Sequence, residues 1–549
     1  MELLTFAVLG LLVVVAAAAV GERLGVAAPL LLVVAGVAVS LLPVVPTVEV
    51  DPEWVLAGLL PPLLYSASVS VPTMDLRREL SAVSGLSVLL VVLSSVVLGF
   101  FFSLVVPGLG LAWGIALGAV VSPTDAVATS IARRLGVPAR AVTILDGESL
   151  LNDATALVLL RAAVAGAAST VSLWGVAGSF LWSVALAAVV GVVVGRVHLW
   201  VRTRVHEVPV TTALSFAVPF VAAIPAELAG ASGLVAAVVA GLVTGSRGPR
   251  VLSPRARLSD AQNWSTVEVV LEGAVFLLMG LQLVGIVTDV REDHAGVGRA
   301  LLIAGGALVL TVVVRAAYVA PLLLVQHRQA QRGVEMRPLF ADMLDGEPPR
   351  RGRRRRTTRP ISDRQRERFR ARVAYGIAYL DHLLAHPLGW REGTVVVWAG
   401  MRGAVTLAAA QTLPPDTPSR SLLVLVAVAV AVGSLLLQGA TLPRLVRTLL
   451  PGDGTGADQE QRTRLMTLLV QAAQTAEPGD RVAALRAQRS ALLDARDGGD
   501  YDSAVLTQAL AVLDADEIAM ELRGRPPAPR SPATPATPGS PARPAPLPG

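Results

Sequence analysis

Cysteine and lysine are both missing from the 549 residues. Without cysteine the chain forms no disulfide, presents no thiolate and holds no metal through sulfur. Without lysine all 47 basic residues are arginine, a side chain that does not release its proton in proteins. Charge is sparse as well, at 16% of residues against 53% hydrophobic ones. No H-E-x-x-H motif occurs, the 6 histidines are scattered, and no acid sits in a G-x-G-D context, so intramembrane proteolysis finds no constellation here. A Gly-Tyr-Gly run of the kind that lines a channel filter is also absent. A lysine-free chain rich in Ala and Val suggests a GC-rich bacterial genome.

What is present is apolar sequence in long runs, with a mean hydropathy of +0.61. About thirteen runs are long enough to cross some 30 Å of hydrocarbon, which takes roughly twenty helical residues. They lie near 3–21, 26–45, 54–71, 80–106, 111–132, 139–160, 173–195, 209–226, 231–246, 264–288, 299–325, 393–413 and 420–441. Arginines gather in alternate connections: Arg23; Arg77 and Arg78; Arg133, Arg134 and Arg140; Arg196, Arg202 and Arg204; and four between Arg247 and Arg257. The intervening connections hold none, although Arg161, Arg291, Arg299 and Arg420 flank them. The positive-inside rule then orients the chain with its N-terminus outside and its C-terminus cytoplasmic, in a bacterial inner membrane. Thirteen crossings and opposite termini agree. The first run ends in a signal-like A-A-A-A-V-G, but Glu2 and the lack of a basic start argue for a retained span. The net charge of +6 follows from this topology, so no nucleic-acid partner is expected; the partners are membrane lipids.

Four spans carry helix breakers: Pro61 and Pro62 in the third, Pro123 in the fifth, Pro219 and Pro225 in the eighth, and Gly400 and Gly403 in the twelfth. Interrupted segments in corresponding places of two halves mark the binding site of an inverted-repeat transporter. The fifth and twelfth correspond if spans 1–6 and 8–13 are repeats and the seventh links them. The fold class is thus an all-α polytopic membrane protein, with two inverted six-helix repeats and discontinuous crossing helices, occupying residues 1–450. Residues 326–392 form a basic cytoplasmic insertion with R-G-R-R-R-R from Arg351, suited to anionic lipid headgroups. Residues 451–524 read as a small helical cytoplasmic tail, and the Pro-rich 525–549 as disordered.

The chemistry concentrates between Ser122 and Asp153, in S-P-T-D-A-V-A and G-E-S-L-L-N-D-A-T. A carboxylate at membrane depth costs roughly 2.5–3.5 kcal/mol on insertion scales, so Asp125, Glu148 and Asp153 are functional candidates. At about 100° per residue, Glu148, Ser149, Asn152 and Asp153 share an arc of about 140° on one helix side. Asp146 lies two turns earlier, either drawing cations into a funnel or facing the helix dipole. Thr124, beside Pro123, offers a hydroxyl and freed carbonyls as hard oxygen ligands for an alkali cation. A carboxylate among such ligands holds a proton or a cation but not both well, and competition at Asp153 is sufficient for exchange. Arg315, in V-V-V-R-A-A-Y, and Arg402, in G-M-R-G, both need buried partners.

These motifs, with L-P-P-L-L at Leu60, F-L-L-M-G-L-Q-L at Phe276 and G-M-R-G-A-V-T-L-A at Gly400, resemble the bacterial branch of the monovalent cation:proton antiporter family, related to the animal Na⁺/H⁺ exchangers. The resemblance covers about residues 1–445. It implies a homodimer, an elevator-like motion of a six-helix core, and no cofactor beyond the transported Na⁺ and H⁺. It makes Asp153 the transport carboxylate with Asn152 beside it, Thr124 and Ser149 ligands, and Glu148 a structural acid paired to an arginine. The family pattern favours Arg315 for that pairing and sets Arg402 at the helix crossing, near Asp125 or the broken helix ends. Electrogenic relatives carry two adjacent Asp residues and a titrating Lys; Asn152, Arg315 and the lack of lysine imply electroneutral exchange. The basic insertion departs from the family pattern, as does Met401 where the motif usually has Leu. Alternatives are a proton-coupled or gated cation channel, or K⁺/H⁺ exchange (Li⁺ being a further cargo) with the tail as a regulatory binding module; no enzymatic role is expected.

Overall fold

A helix that is apolar all round satisfies its own backbone and offers lipid and protein the same kind of surface. The chain is built mostly from such helices. The computed structural model describes residues 2–42, 51–168, 173–205, 207–294, 296–345, 388–450, 455–477, 480–498, 501 and 503–523. Every regular element among them is helical. In order these are α1 (Glu2–Leu24), α2 (Ala28–Ser40), α3 (Trp54–Ser70), α4 (Thr73–Arg78), α5 (Leu80–Val105), α6 (Leu111–Val121), α7 (Val127–Arg134), α8 (Ala139–Ala168) and α9 (Leu173–Arg202). They continue as α10 (Val208–Leu228), α11 (Gly233–Val251), α12 (Pro254–Glu292), α13 (Val297–Asp345), α14 (Trp390–Trp398), α15 (Ala404–Gln411) and α16 (Arg420–Leu449). The tail adds α17 (Thr455–Ala473), α18 (Arg481–Gly498) and α19 (Ser503–Arg523).

Among the described residues, 7 helices are long and apolar enough to cross a membrane, and four shorter apolar ones accompany them. Two of the four spans expected to break are not broken. α10 runs unbroken through Pro219 and Pro225, and α3 absorbs Pro61 and Pro62 by opening with a wide π turn over Trp54–Leu59. There the prolines occupy the start of the tighter helix, where no amide donor is required. The true interruptions are residues 122–126 between α6 and α7 and residues 399–403 between α14 and α15.

The pairings of one half recur in the other. α5, the broken α6–α7 pair and α8 pack mutually, and so do α13, the broken α14–α15 pair and α16. Outside these triads α2 lies on α12 and α3 lies on α11. The α2–α12 contact is backbone to backbone: a Cβ on Gly36 would stand 2.8 Å from the Gly280 Cα. Small residues allow this approach, which matters where lipid removes the hydrophobic drive for helix pairing. α16 is enclosed along most of its length, while α9 lies at the periphery. The outer faces carry exposed apolar side chains such as Leu104, Leu181, Trp182 and Leu302, a surface that suits acyl chains.

The tail helices close around Leu465, Leu469, Leu492, Leu506 and Leu513, with Met74 packed against them. Arg250 pairs with Asp494 at 3.1 Å and Asp497 at 2.5 Å, Arg257 pairs with Asp514, and Arg496 donates to the Ser246 carbonyl at 3.1 Å. The tail therefore docks on the end of α11 and the start of α12. Arg351 to Arg356 and residues 525–549 lie outside the described residues.

Placing a β-branched side chain at Gly280 should cost about 1–3 kcal/mol by overpacking α2. Gly280→Val should lower the melting temperature of the detergent-purified protein, whereas Gly285→Val, at a position with open space around it, should leave it near wild type.

Candidate functional site

Unwinding a helix inside an apolar slab frees amides and carbonyls that must find partners. The two unwound segments supply them to each other. The Asp125 amide donates to the Met401 carbonyl at 2.7 Å, and the Asp125 carboxylate turns back to accept from the Val127 amide at 3.0 Å, starting α7. Arg402 is 2% exposed and reaches across: its Nε donates to the Val121 carbonyl at the end of α6, at 3.0 Å, and its Nη1 donates to Gly400. Its own amide donates to Ser434 Oγ of α16 at 2.9 Å. Gly403 sits so close to Asp125 that any side chain there would overlap the carboxylate. Arg402 thus serves broken helix ends.

Beside the crossing lies a buried ion pair. Arg315, on α13, donates through Nη1 and Nη2 to both oxygens of Glu148, on α8, the second at 2.7 Å, and through Nε to the Val396 carbonyl of α14 at 3.0 Å. Glu148 is 1% exposed and Arg315 2%, so each requires the other. The pair extends into the first unwound segment. Thr124 Oγ1 donates to Glu148 at 3.1 Å and accepts from Asn152 Nδ2 at 2.6 Å; the same amide donates to the Thr124 carbonyl at 3.2 Å. The Asn152 amide oxygen has no partner among the described residues. Four residues picked out by motif thereby form one connected network.

Asp153 stands apart from that network. It is 7% exposed and has no hydrogen-bond or ion-pair partner among the described residues. It opens into a cavity of about 90 Å³ shared with Thr124, Asp125 and Ser149. A water needs about 10–15 Å³ by the same kind of measure, so several oxygens fit there. The Ser149 hydroxyl meanwhile bonds back to the Asp146 carbonyl at 3.1 Å. Asp146 faces Arg133 at 2.5 Å and lines neither this cavity nor the larger one behind it.

The cavity is also lined by two acids outside the quoted motifs and by Thr406, which lies in the Gly400 motif but carried no assigned role. Glu268 and Glu272 come from α12, and Thr406 comes from α15. The two acids sit four residues apart inside an apolar run, the same signal that marks Asp153. Arg140 and Glu79, paired at 2.6 Å, with Arg140 also reaching Gln326 at 3.3 Å, form a second buried brace absent from the motif reading.

Removing one partner of a buried pair costs about 3–5 kcal/mol because the other charge is stranded. Glu148→Gln should sharply reduce thermal stability or membrane levels, and adding Arg315→Met should recover part of the loss, as read by melting of purified protein.

A family model described as "Sodium/hydrogen exchanger, transmembrane" matches residues 9–341 and 369–448. An uncharacterized Na⁺/H⁺ exchanger of Mycobacterium tuberculosis is 31% identical over 492 residues, covering 86% of this chain and 80% of the relative. The Na⁺/H⁺ antiporter ApNhaP of Aphanothece halophytica is 26% identical over 449 residues, covering 80% of this chain and 72% of its own. Among solved structures, the sodium proton antiporter MjNhaP1 of Methanocaldococcus jannaschii aligns over 82% of this chain and 100% of that one, with a TM-score of 0.58 at 16% identity. That likeness is one of fold, and it accords with the paired triads and crossing segments. Sequence and architecture agree, and the chain belongs to the transmembrane sodium/hydrogen exchanger family.

Proposed function

We propose that the chain exchanges Na⁺ for H⁺ across a bacterial inner membrane by alternating access, with Asp153 as the group that proton and cation occupy in turn. One observation carries this reading: Asp153 is buried, has no hydrogen-bond or ion-pair partner among the described residues, and faces a largely apolar cavity into which Thr124, Asp125, Ser149 and Thr406 bring oxygens. Glu148 has a permanent counter-charge in Arg315 and so gains little from an incoming ion. Asp153 has none. A proton or an alkali cation brings it near neutrality, and only then does moving the site past apolar walls avoid the cost of a bare charge. Thr124, Ser149 and Asp125 supply further oxygens for the cation, while Asn152 fixes Thr124 and Arg402 holds the two unwound segments together. No bond of a substrate is made or broken, so the role is transport and not enzymatic.

The Arg-bearing face, to which the tail is docked, is cytoplasmic in this reading, with thirteen crossings, the N-terminus outside and a homodimeric assembly among membrane lipids. One exchanging carboxylate, flanked by the neutral Asn152 and by an arginine that keeps its proton, gives one cation per proton. Relatives from Bacillus are named sodium, potassium, lithium and rubidium/H⁺ antiporters, so the cation series belongs in the test.

In everted vesicles, a pulse of Na⁺, Li⁺ or K⁺ should dequench a ΔpH dye for the wild type and fail to do so for Asp153→Asn. Exchange that survives this substitution overturns the assignment of the transport site. Steady exchange should also be indifferent to an imposed membrane potential; acceleration by a potential of either sign would replace one-for-one coupling with an electrogenic ratio.

A further inference from the structure

Behind the Asp153 cavity lies a larger one of about 660 Å³, whose wall includes the α1–α2 turn, Ser130, Arg134 and Arg447. All of these sit at the Arg-bearing face, so this cavity is the funnel from that side. The two cavities share two lining residues, Glu268 and Glu272, and no others. Glu268 accepts a long contact from Ser66 Oγ at 3.4 Å, whereas Glu272 has no hydrogen-bond or ion-pair partner among the described residues. The inner cavity is also lined by Thr406, 0% exposed, whose hydroxyl oxygen likewise has no partner among the described residues. An orphaned buried hydroxyl costs about 1–3 kcal/mol unless a ligand or water completes it. The inner cavity is lined by four carboxylates (Asp125, Asp153, Glu268 and Glu272) and by no basic side chain; Arg134 and Arg447 line the outer one.

We propose that Glu272 and Thr406 form a holding site for the alkali cation on the funnel side of Asp153, and that every cation passing between that site and the Arg-bearing face passes Glu272 with Glu268 one turn further out. This rests on the reading of Asp153 as the transport carboxylate. Glu272 contributes charge, Thr406 a neutral oxygen, and the ion keeps part of its water in the space between. A cation arriving from the funnel then exchanges one carboxylate for the next instead of crossing an apolar gap. α12, which carries both acids, is anchored at its start by the Arg257–Asp514 pair and along its length by α2, so the holding site has a fixed wall.

The test is the apparent KM for Na⁺ presented to the Arg-bearing face, measured in everted vesicles for Glu272→Gln, Glu272→Asp, Thr406→Val and Asp153→Asn, with protein levels matched. Glu272→Gln should raise KM by about tenfold, equivalent to ~1.4 kcal/mol of lost cation affinity. The effect should fall on KM more than on Vmax, Glu272→Asp should restore most of it, and Thr406→Val should raise KM less than Glu272→Gln does. A wild-type KM in both Glu272→Gln and Thr406→Val overturns the holding site. So does a fall in Vmax at constant KM that Glu272→Asp fails to rescue, which is the signature of a purely structural acid. Asp153→Asn separates the two levels: if it exchanges normally, the transport-site reading fails first; if it is inactive while Glu272→Gln keeps a wild-type KM, only the holding site fails.

Discussion

Two strands of non-helical backbone lie deep in an apolar slab, and each amide and carbonyl they expose needs a partner that lipid does not provide. That constraint organises the centre of the molecule. The Asp125 amide bonds to the Met401 carbonyl, Arg402 bridges the end of α6 to its own segment, and Arg315 takes the Val396 carbonyl at the end of α14. Both arginines are therefore helix caps as well as charges. A lysine, with one ammonium and no planar fork, would serve fewer acceptors in fixed directions. Glycine at 403 follows from the same need, because the segments cross at backbone distance.

Once the backbone is satisfied, the remaining charges sort themselves by whether they have partners. A charge placed at membrane depth costs roughly 2.5–3.5 kcal/mol on insertion scales. Glu148 offsets that with a two-point arginine contact and a threonine hydroxyl. Glu79 does so with Arg140. Asp153 has no such offset among the described residues, and in the proposed mechanism a mobile ion relieves its unfavourable energy. Satisfied acids hold the frame; Asp153 and Glu272, which have no such partner among the described residues, line the cavity. On this view Thr124 belongs to both sets, since the network in which Asn152 fixes it also leaves it lining the cavity with Asp153.

Much of this was legible in the sequence, and the gaps have physical causes. Each of the apolar runs coincides with a helix or a broken pair of helices, because hydrophobicity over twenty residues is a property of the chain alone. The motif resemblance pointed to the family that the full comparison establishes. Proline was a poorer guide. Pro123 sits in an unwound segment while Pro219 sits in a continuous helix, and the difference lies in whether carbonyls and amides from residues some 280 positions away arrive to replace the lost bonds. Arg402 illustrates the same limit: its acceptors are backbone oxygens, which have no sequence signature. Glu268 and Glu272 were missed although they stand within a span, since four-residue spacing shows a shared helix face but not what that face meets. Asp146 carried two readings from sequence, and a contact with Arg133 thirteen positions earlier decided where it points.

The cavity's position gives these contacts a direction. Asp153 and Thr406 belong to α8 and α15, members of the two triads that pack around the crossing. Glu268 and Glu272 belong to α12, which packs with α1, α2, α3 and α10 outside those triads and also touches the triad members α13, α15 and α16. The Asp153 cavity thus lies on the seam between two groups of helices and not inside either. Close backbone contacts such as Gly36 on Gly280 lock each group internally, whereas the seam is lined by side chains and space. Sliding one group past the other would carry Asp153 away from Glu272 without breaking the Glu148–Arg315 pair or the crossing bonds, because those lie wholly within the triads. Such a motion would spare the central bonds and give up the 2.7 Å Gln411–Gln282 bond between α15 and α12, which makes it a low-cost way for the proposed exchanger to change the face its carboxylate addresses.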